Sequence, residues 1–159
     1  MASIIRWEQG RADLDALISA GRVEQVTASH DHALNTVKQA RLDLSSARLI
    51  VDTNPVGAFA LTYDAARKAL TAILANQGLR PKGSEGGHAV LLDVVLAQLD
   101  PPLGRALREF DWMRRLRNDS AYPSPERKVA SAPDVQDALP AADQIIEIAA
   151  TVIEQMPVY

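Results

Sequence analysis

The longest hydrophobic pattern closes the chain. Val135, Leu139, Ala142, Ile145, Ile146, Ala149, Val152, Ile153 and Met156 recur at steps of three and four, one face of a helix beginning near Pro133 or Asp134. Pro140 lies off that stripe, which predicts a kink and not two independent helices. The same period marks two long helices upstream. Leu34, Val37, Ala40, Leu44, Ala47 and Val51 give a stripe over residues 29–51. Val56, Phe59, Ala60, Tyr63, Ala66, Leu70, Ile73 and Leu74 give the core face of a helix over 55–77. Between them Asn54 and Pro55 read as an N-cap followed by a first-turn proline, where the missing N–H does no harm. Gly78 is placed to end the second helix in the left-handed region. Leu42 and Leu49 fall off the first stripe. A helix apolar on two sides is either central in a bundle or faces a second chain.

The remaining elements are shorter. Leu14, Leu17 and Ile18 stripe a short helix over 11–20, with Gly21 as a stop and 23–27 as a connector. Residues 79–87 read as a loop by their glycines and proline, without phosphate-loop spacing. His88 opens a helix to Leu99 whose apolar residues nearly surround it. Asp100-Pro101-Pro102 separates it from a helix over 103–120, and residues 123–132 are irregular. No strand period stands out. The expected fold is all-α: an up-down bundle of four principal helices with a shorter extra helix and an N-terminal helical arm. The expected division is 1–28 as arm and short helix, with Trp7 as an anchor, and 29–159 as the bundle.

One position breaks the pattern. Leu103, Ala106, Leu107, Phe110 and Met113 form the inward face of the 103–120 helix, and the next turn of that face reaches Leu116 and Arg117. A guanidinium on an inward stripe needs a partner, because an unpaired buried charge is very costly. Arg117 therefore pairs with Asp119 or another carboxylate, or it lines a cleft or a subunit interface. Arg114 and Arg115 read as solvated cations that complement the helix C-terminus. Asn118, Asp119 and Tyr122 follow, and Pro123 ends the helix.

The net charge of −3 argues against a general nucleic-acid binder, yet seven basic residues face four acidic ones between Arg105 and Lys128. A local basic patch on an acidic body suits a phosphate or an acidic partner. Hydrophobic residues make up 47% and aromatics 4%, so the core is aliphatic. There is no cysteine, hence no disulfide, thiol nucleophile or cysteine metal site. His30 and His32 point to different sides of their helix and predict no metal site, and His88 reads as a capping or packing residue or as a companion of Arg117. No cofactor is implied. The first residues lack the apolar core of a signal peptide and no run is long enough for a membrane span, so a soluble cytoplasmic protein is expected.

The Arg117-Asn118 pair, the Tyr63-Asp64-Ala65-Ala66-Arg67-Lys68-Ala69-Leu70 helix, the Gly78-Leu79-Arg80-Pro81 loop, Gly87-His88 and the long final helix together resemble the HEPN superfamily over roughly 30–156. The likeness is nearest to an actinobacterial subgroup whose motif runs Arg-Asn followed by Tyr-Pro. It implies a small all-α bundle that forms a homodimer. Ribonuclease members carry Arg, four to six residues, then His; two such motifs meet across the dimer and cut RNA without metal. That chemistry needs a base for the ribose 2′-hydroxyl and a cation for the phosphate. Here the four-residue spacing holds Tyr122, the six-residue spacing holds Ser124, and no histidine follows Arg117. A phenol with an ordinary pKa of about 10 is a poor base near pH 7.

Many prokaryotic relatives pair with a minimal nucleotidyltransferase as toxin and antitoxin, and some carry a tyrosine that receives AMP. The resemblance implies Tyr122 as such a target, two positions early. The leading expectation is a partner protein that binds RNA, nucleotide or a nucleotidyltransferase through an Arg117 cleft at a dimer interface, with Arg114, Arg117, Asn118 and His88 as binding residues. The alternatives are an active ribonuclease toxin using Arg117, Asp119 and Tyr122 as catalytic residues, and a structural dimerisation module.

Overall fold

The computed structural model describes residues 7–83 and 87–159. Within them the order is α1 (Arg11–Ser19), β1 (Val23–Gln25), α2 (His30–Ile50), α3 (Pro55–Gln77), β2 (Leu79–Pro81), α4 (Gly87–Leu99), α5 (Gly104–Ala121) and α6 (Ala132–Ile153). The fold is all-α, as the periodicity predicts. Residues 1–6 of the expected N-terminal arm, and loop residues 84–86, lie outside the described residues. No described helix is long and apolar enough to cross a membrane.

Helix α3 is the centre, packing on α2, α4, α5 and α6. Asn54 caps it through the Gly57 amide at 3.0 Å with Pro55 in the first turn, and Gly78 ends it at φ 79°. Helices α2 and α3 run antiparallel: the links His30–Asn76 and Lys68–Asp43 step along them in opposite directions. Their seam is small. Ala33, Ala40 and Ala47 repeat every seven residues and are fully buried, facing a helix rich in buried alanines (Ala58, Ala65, Ala66, Ala69, Ala72). This corrects the expected α2 stripe. Small side chains let the two backbones approach closely, so the seam runs through Ala33, and Leu34 turns out to 40% exposure. Leu42 and Leu49 are also exposed, at 53% and 84%, and α2 is not the central helix.

Helix α6 is continuous from Ala132 to Ile153, with exposed Pro140 inside it. Ser131 and Asp134 form a reciprocal capping box at its start. Helix α5 runs antiparallel to α3, since Phe110 stacks on Tyr63 while Trp112, further along, meets Phe59. Helix α4 instead runs parallel to α3: His88 meets Tyr63, and Gln98 meets Gln77. The chain between α3 and α4 must therefore climb back along the bundle.

That climb contains the one departure from the expected elements. Residues 23–25 and 79–81, read as connector and loop, pair as a two-stranded antiparallel ribbon with Glu24 opposite Arg80. Arg80 Nη2 lies 2.5 Å from Glu24 Oε1, a cross-strand ion pair. Three-residue strands joined across two long helices leave no local period to detect.

The N-terminal segment is bound to the same region. Trp7 Nε1 donates to the Gln98 carbonyl at 2.8 Å, and Gly10 sits so near Ala97 that a Cβ there would lie 2.1 Å from its carbonyl oxygen. Gln77 and Gln98, both essentially unexposed, exchange amide hydrogen bonds of 2.9 and 2.7 Å. Removing one partner strands the other in an apolar interior. We expect Gln98→Leu to lower stability by about 1–3 kcal/mol in urea denaturation. The double substitution Gln77→Leu/Gln98→Leu should recover part of that loss, because neither amide is then left alone.

Candidate functional site

Arg117 ends the inward face of α5. Leu107, Phe110 and Met113 are fully buried, and Arg117 one turn on is half-buried. Its guanidinium carbon stands 5.7 Å from the centre of the Tyr63 ring, within cation–π range. Phe110 stacks against the same ring at 5.2 Å and an interplanar angle of 18°. The Tyr63 hydroxyl lies 2.5 Å from His88 Nδ1, and the two rings are tilted at 44°. The phenol of α3 thus joins Arg117 of α5 to His88 of α4.

Two further arginines act on this group electrostatically, Arg67 and Arg114. Each has its own carboxylate: Arg67 Nε lies 3.1 Å from Asp64, and Arg114 Nη2 lies 3.0 Å from Asp111, which also takes Arg115 at 2.8 Å. Arg117 has no carboxylate among the described residues. Its one polar contact is the Asn118 side-chain oxygen at 3.5 Å, the limit of a hydrogen bond. Arg114 Nε is buried with no acceptor. The cluster is therefore rich in N–H donors and short of acceptors, which is the character of an anion site.

Burial pushes the Tyr63 phenol up to about 12, against the opposing pull of Arg117, Arg67 and Arg114. Burial also holds His88 below its ordinary 6.5, and Arg67 and Arg117 depress it further. Near neutral pH the pair is an un-ionised phenol beside an un-ionised imidazole.

Beside Arg117 is a small cavity of about 120 Å³, lined also by Val56, Phe59, Ala60, Ser120 and Ala121. It is well below the roughly 300–1,000 Å³ of enclosed ligand pockets. His88 does not line it.

The sequence-derived residues divide into two groups. Arg117, Arg114 and His88 come together around Tyr63. Asp119 and Tyr122 do not join them. Asp119, two residues from Arg117 on another side of α5, makes no hydrogen bond or ion pair with any described residue. Tyr122 caps the helix and is 69% exposed, its carbonyl accepting from Arg127 at 3.1 Å. Asn118 is exposed. Ser120 Oγ accepts from the Ala130 amide at 2.9 Å and folds the following segment back onto α5. His30 bonds Asn76 and lies 3.5 Å from Glu154, a structural role. Tyr63, Arg67 and Asp64 were the residues missed. Tyr63 read as core, and its signal was that a buried phenol needs a hydrogen-bond partner.

The HEPN domain family model matches residues 33–153, from the first turn of α2 to the last residue of α6. No curated protein and no solved structure matches the chain.

Both titrations have a definite sign. The unfolded chain gives up the Tyr63 proton near 10.0 and the folded chain only near 12, so this group's stabilisation is full below pH 10 and lost as pH rises through 12. For His88 the unfolded chain takes up a proton more readily, so stability falls as pH drops below 6.5. Ultraviolet titration should show a phenolate step near pH 12 that Tyr63→Phe abolishes, and an NMR titration should place the His88 midpoint below 6.5.

Proposed function

The chain belongs to the HEPN domain family, and on that premise we propose that it is the HEPN member of a two-component, toxin–antitoxin-type system that binds single-stranded RNA through the Arg117 cleft without the motif-histidine ribonuclease mechanism. The observation that carries this reading is Arg117 itself. It is half-buried, bears a full charge, and alone of the arginines around Tyr63 has no carboxylate partner among the described residues. A phosphate oxygen satisfies such a group with charge-assisted hydrogen bonds. The small cavity favours a ligand that lays a phosphate against the surface over a nucleotide enclosed whole. Tyr122 is highly exposed and makes no contact with the Tyr63 cluster, which supports a reading in which it does not stand in for the motif histidine.

A homodimer fits the same reading. Leu42 and Leu49 are large, exposed and one heptad apart on α2. Leu49 stands at the end of α2 that leads into α3, where Val56 begins the wall of the Arg117 cavity. A second copy covering that end adjoins the cleft.

A second reading concerns Tyr122. Its 69% exposure leaves the phenol accessible to a nucleotidyltransferase partner. Incubation with such an enzyme encoded beside it, and ATP, should add one nucleotidyl group by intact mass, and Tyr122→Phe should remove the addition.

For the leading reading, Arg117→Ala should weaken binding of a short single-stranded RNA by about 10- to 100-fold, the equivalent of one lost charge-assisted contact. The slope of log affinity against log salt should fall by about one phosphate's share. Wild-type protein should leave the RNA uncut. Equal affinity for wild type and variant would remove Arg117 from the site, and cleavage lost in Arg117→Ala would establish a ribonuclease instead.

A further inference from the structure

We infer that His88 serves this site as a hydrogen-bond donor through Nε2–H, held in that tautomer by Tyr63, so that His88 and Arg117 form a two-helix donor pair for a phosphate oxygen. The inference rests on the RNA-binding reading above and assigns roles to residues outside the Arg117 motif.

The geometry begins with the phenol. Tyr63 is 1% exposed, and its hydroxyl has one partner among the described residues, His88 Nδ1 at 2.5 Å. A buried hydroxyl carries one hydrogen that must be placed. If Nδ1 bore the imidazole proton, Tyr63 would accept it, and the phenol hydrogen would be left without an acceptor among the described residues, which is costly in the interior. If Tyr63 donates, Nδ1 accepts and nothing is stranded. The phenol is protonated at neutral pH because burial pushes it up to about 12, so it has the proton to give.

The consequence falls on the other nitrogen. A neutral imidazole that accepts at Nδ1 carries its proton on Nε2. Burial and the neighbouring arginines keep His88 neutral near pH 7. Nε2 makes no hydrogen bond with any described residue, and His88 as a whole is half-buried, so this nitrogen is left for a ligand. It therefore offers a donor and not a lone pair. A general base needs the reverse. This ring is set up to bind charge and not to remove a proton.

Arg117 and His88 flank one phenol, the guanidinium 5.7 Å from its ring centre and the imidazole on its hydroxyl. They come from α5 and α4, and both are half-buried. Tyr63 itself is a positioning residue: it touches the donor and not the ligand.

The test uses the full-length protein and two probes, a single-stranded oligouridylate and AMP. Both offer a phosphate, and their comparison separates a backbone phosphodiester from a terminal phosphate. Nitrogen NMR of histidine-labelled protein should show His88 Nδ1 as the unprotonated nitrogen and Nε2 as the protonated one. Tyr63→Phe should move the Nδ1 resonance and weaken binding less than His88→Ala does. His88→Ala should weaken the preferred probe about tenfold. His88→Gln, whose amide N–H takes the place of Nε2–H, should stay within about threefold of wild type. His88→Asn, which reproduces the Nδ1 position only, should resemble His88→Ala.

A protonated Nδ1, or His88→Gln as weak as His88→Ala, overturns the donor assignment even if Arg117 still proves essential. Unchanged affinity in His88→Ala, with the fold intact by circular dichroism, does the same. Failure of wild type to bind either probe sinks the RNA-binding reading and this one with it. That outcome is recognisable because it precedes any effect of His88.

Discussion

The register between α3 and α4 is the constraint on which the rest depends. Two parallel helices joined by a climbing segment have no short turn to fix their relative height. The reciprocal Gln77–Gln98 amide pair supplies that reference. A slip by one turn would separate both amides inside an apolar interior, where each lost partner carries a desolvation penalty. Trp7, bonded to the Gln98 carbonyl, holds the same level from outside. With Gln98 fixed against Gln77, His88 is brought level with Tyr63 at the other end of the pair. A hydrogen-bond pair remote from the candidate site thus decides which side chains meet in it.

At the candidate site burial sets the protonation of the side chains. Tyr63 is enclosed by aromatic and aliphatic neighbours, and enclosure keeps its proton on despite three nearby guanidinium groups. Two of those arginines are held by Asp64 and Asp111. Their charges still act on the imidazole but are not free for a ligand. Arg117 has no such holder among the described residues, so its charge is the least neutralised of the three. That division of labour sets the cluster apart from a network in which every cation is matched by a carboxylate.

Much of this was legible in the sequence, and the limits are physical. Helix identities follow from the stripes, because apolar residues at a 3.6-residue period have one stable use in an aliphatic domain. Arg117 was legible as an exception to its own stripe. The ribbon was not, since its strands of three residues lie on either side of two long helices and neither carries a period. Leu34 was misplaced because hydrophobicity ranks leucine above alanine, whereas close helix approach at the α2–α3 seam favours Ala33. The meeting of His88 with Tyr63 needed the direction of α4, and a loop rich in glycine does not encode direction. Gln77 and Gln98 looked like ordinary polar positions until each was found opposite the other.

The ribbon also orders the assembly of the chain. Its two strands bracket the whole α2–α3 hairpin, so β1 and β2 cannot meet cheaply while that stretch is a coil. Once the hairpin has formed, His30 and Asn76 already hold its two open ends together, and the strands emerge side by side. The ribbon is then a clasp closed by a finished hairpin, not a nucleus for it. Loop-closure entropy thus favours an order in which the helical pair forms from its Asn54 turn before the long-range strands pair.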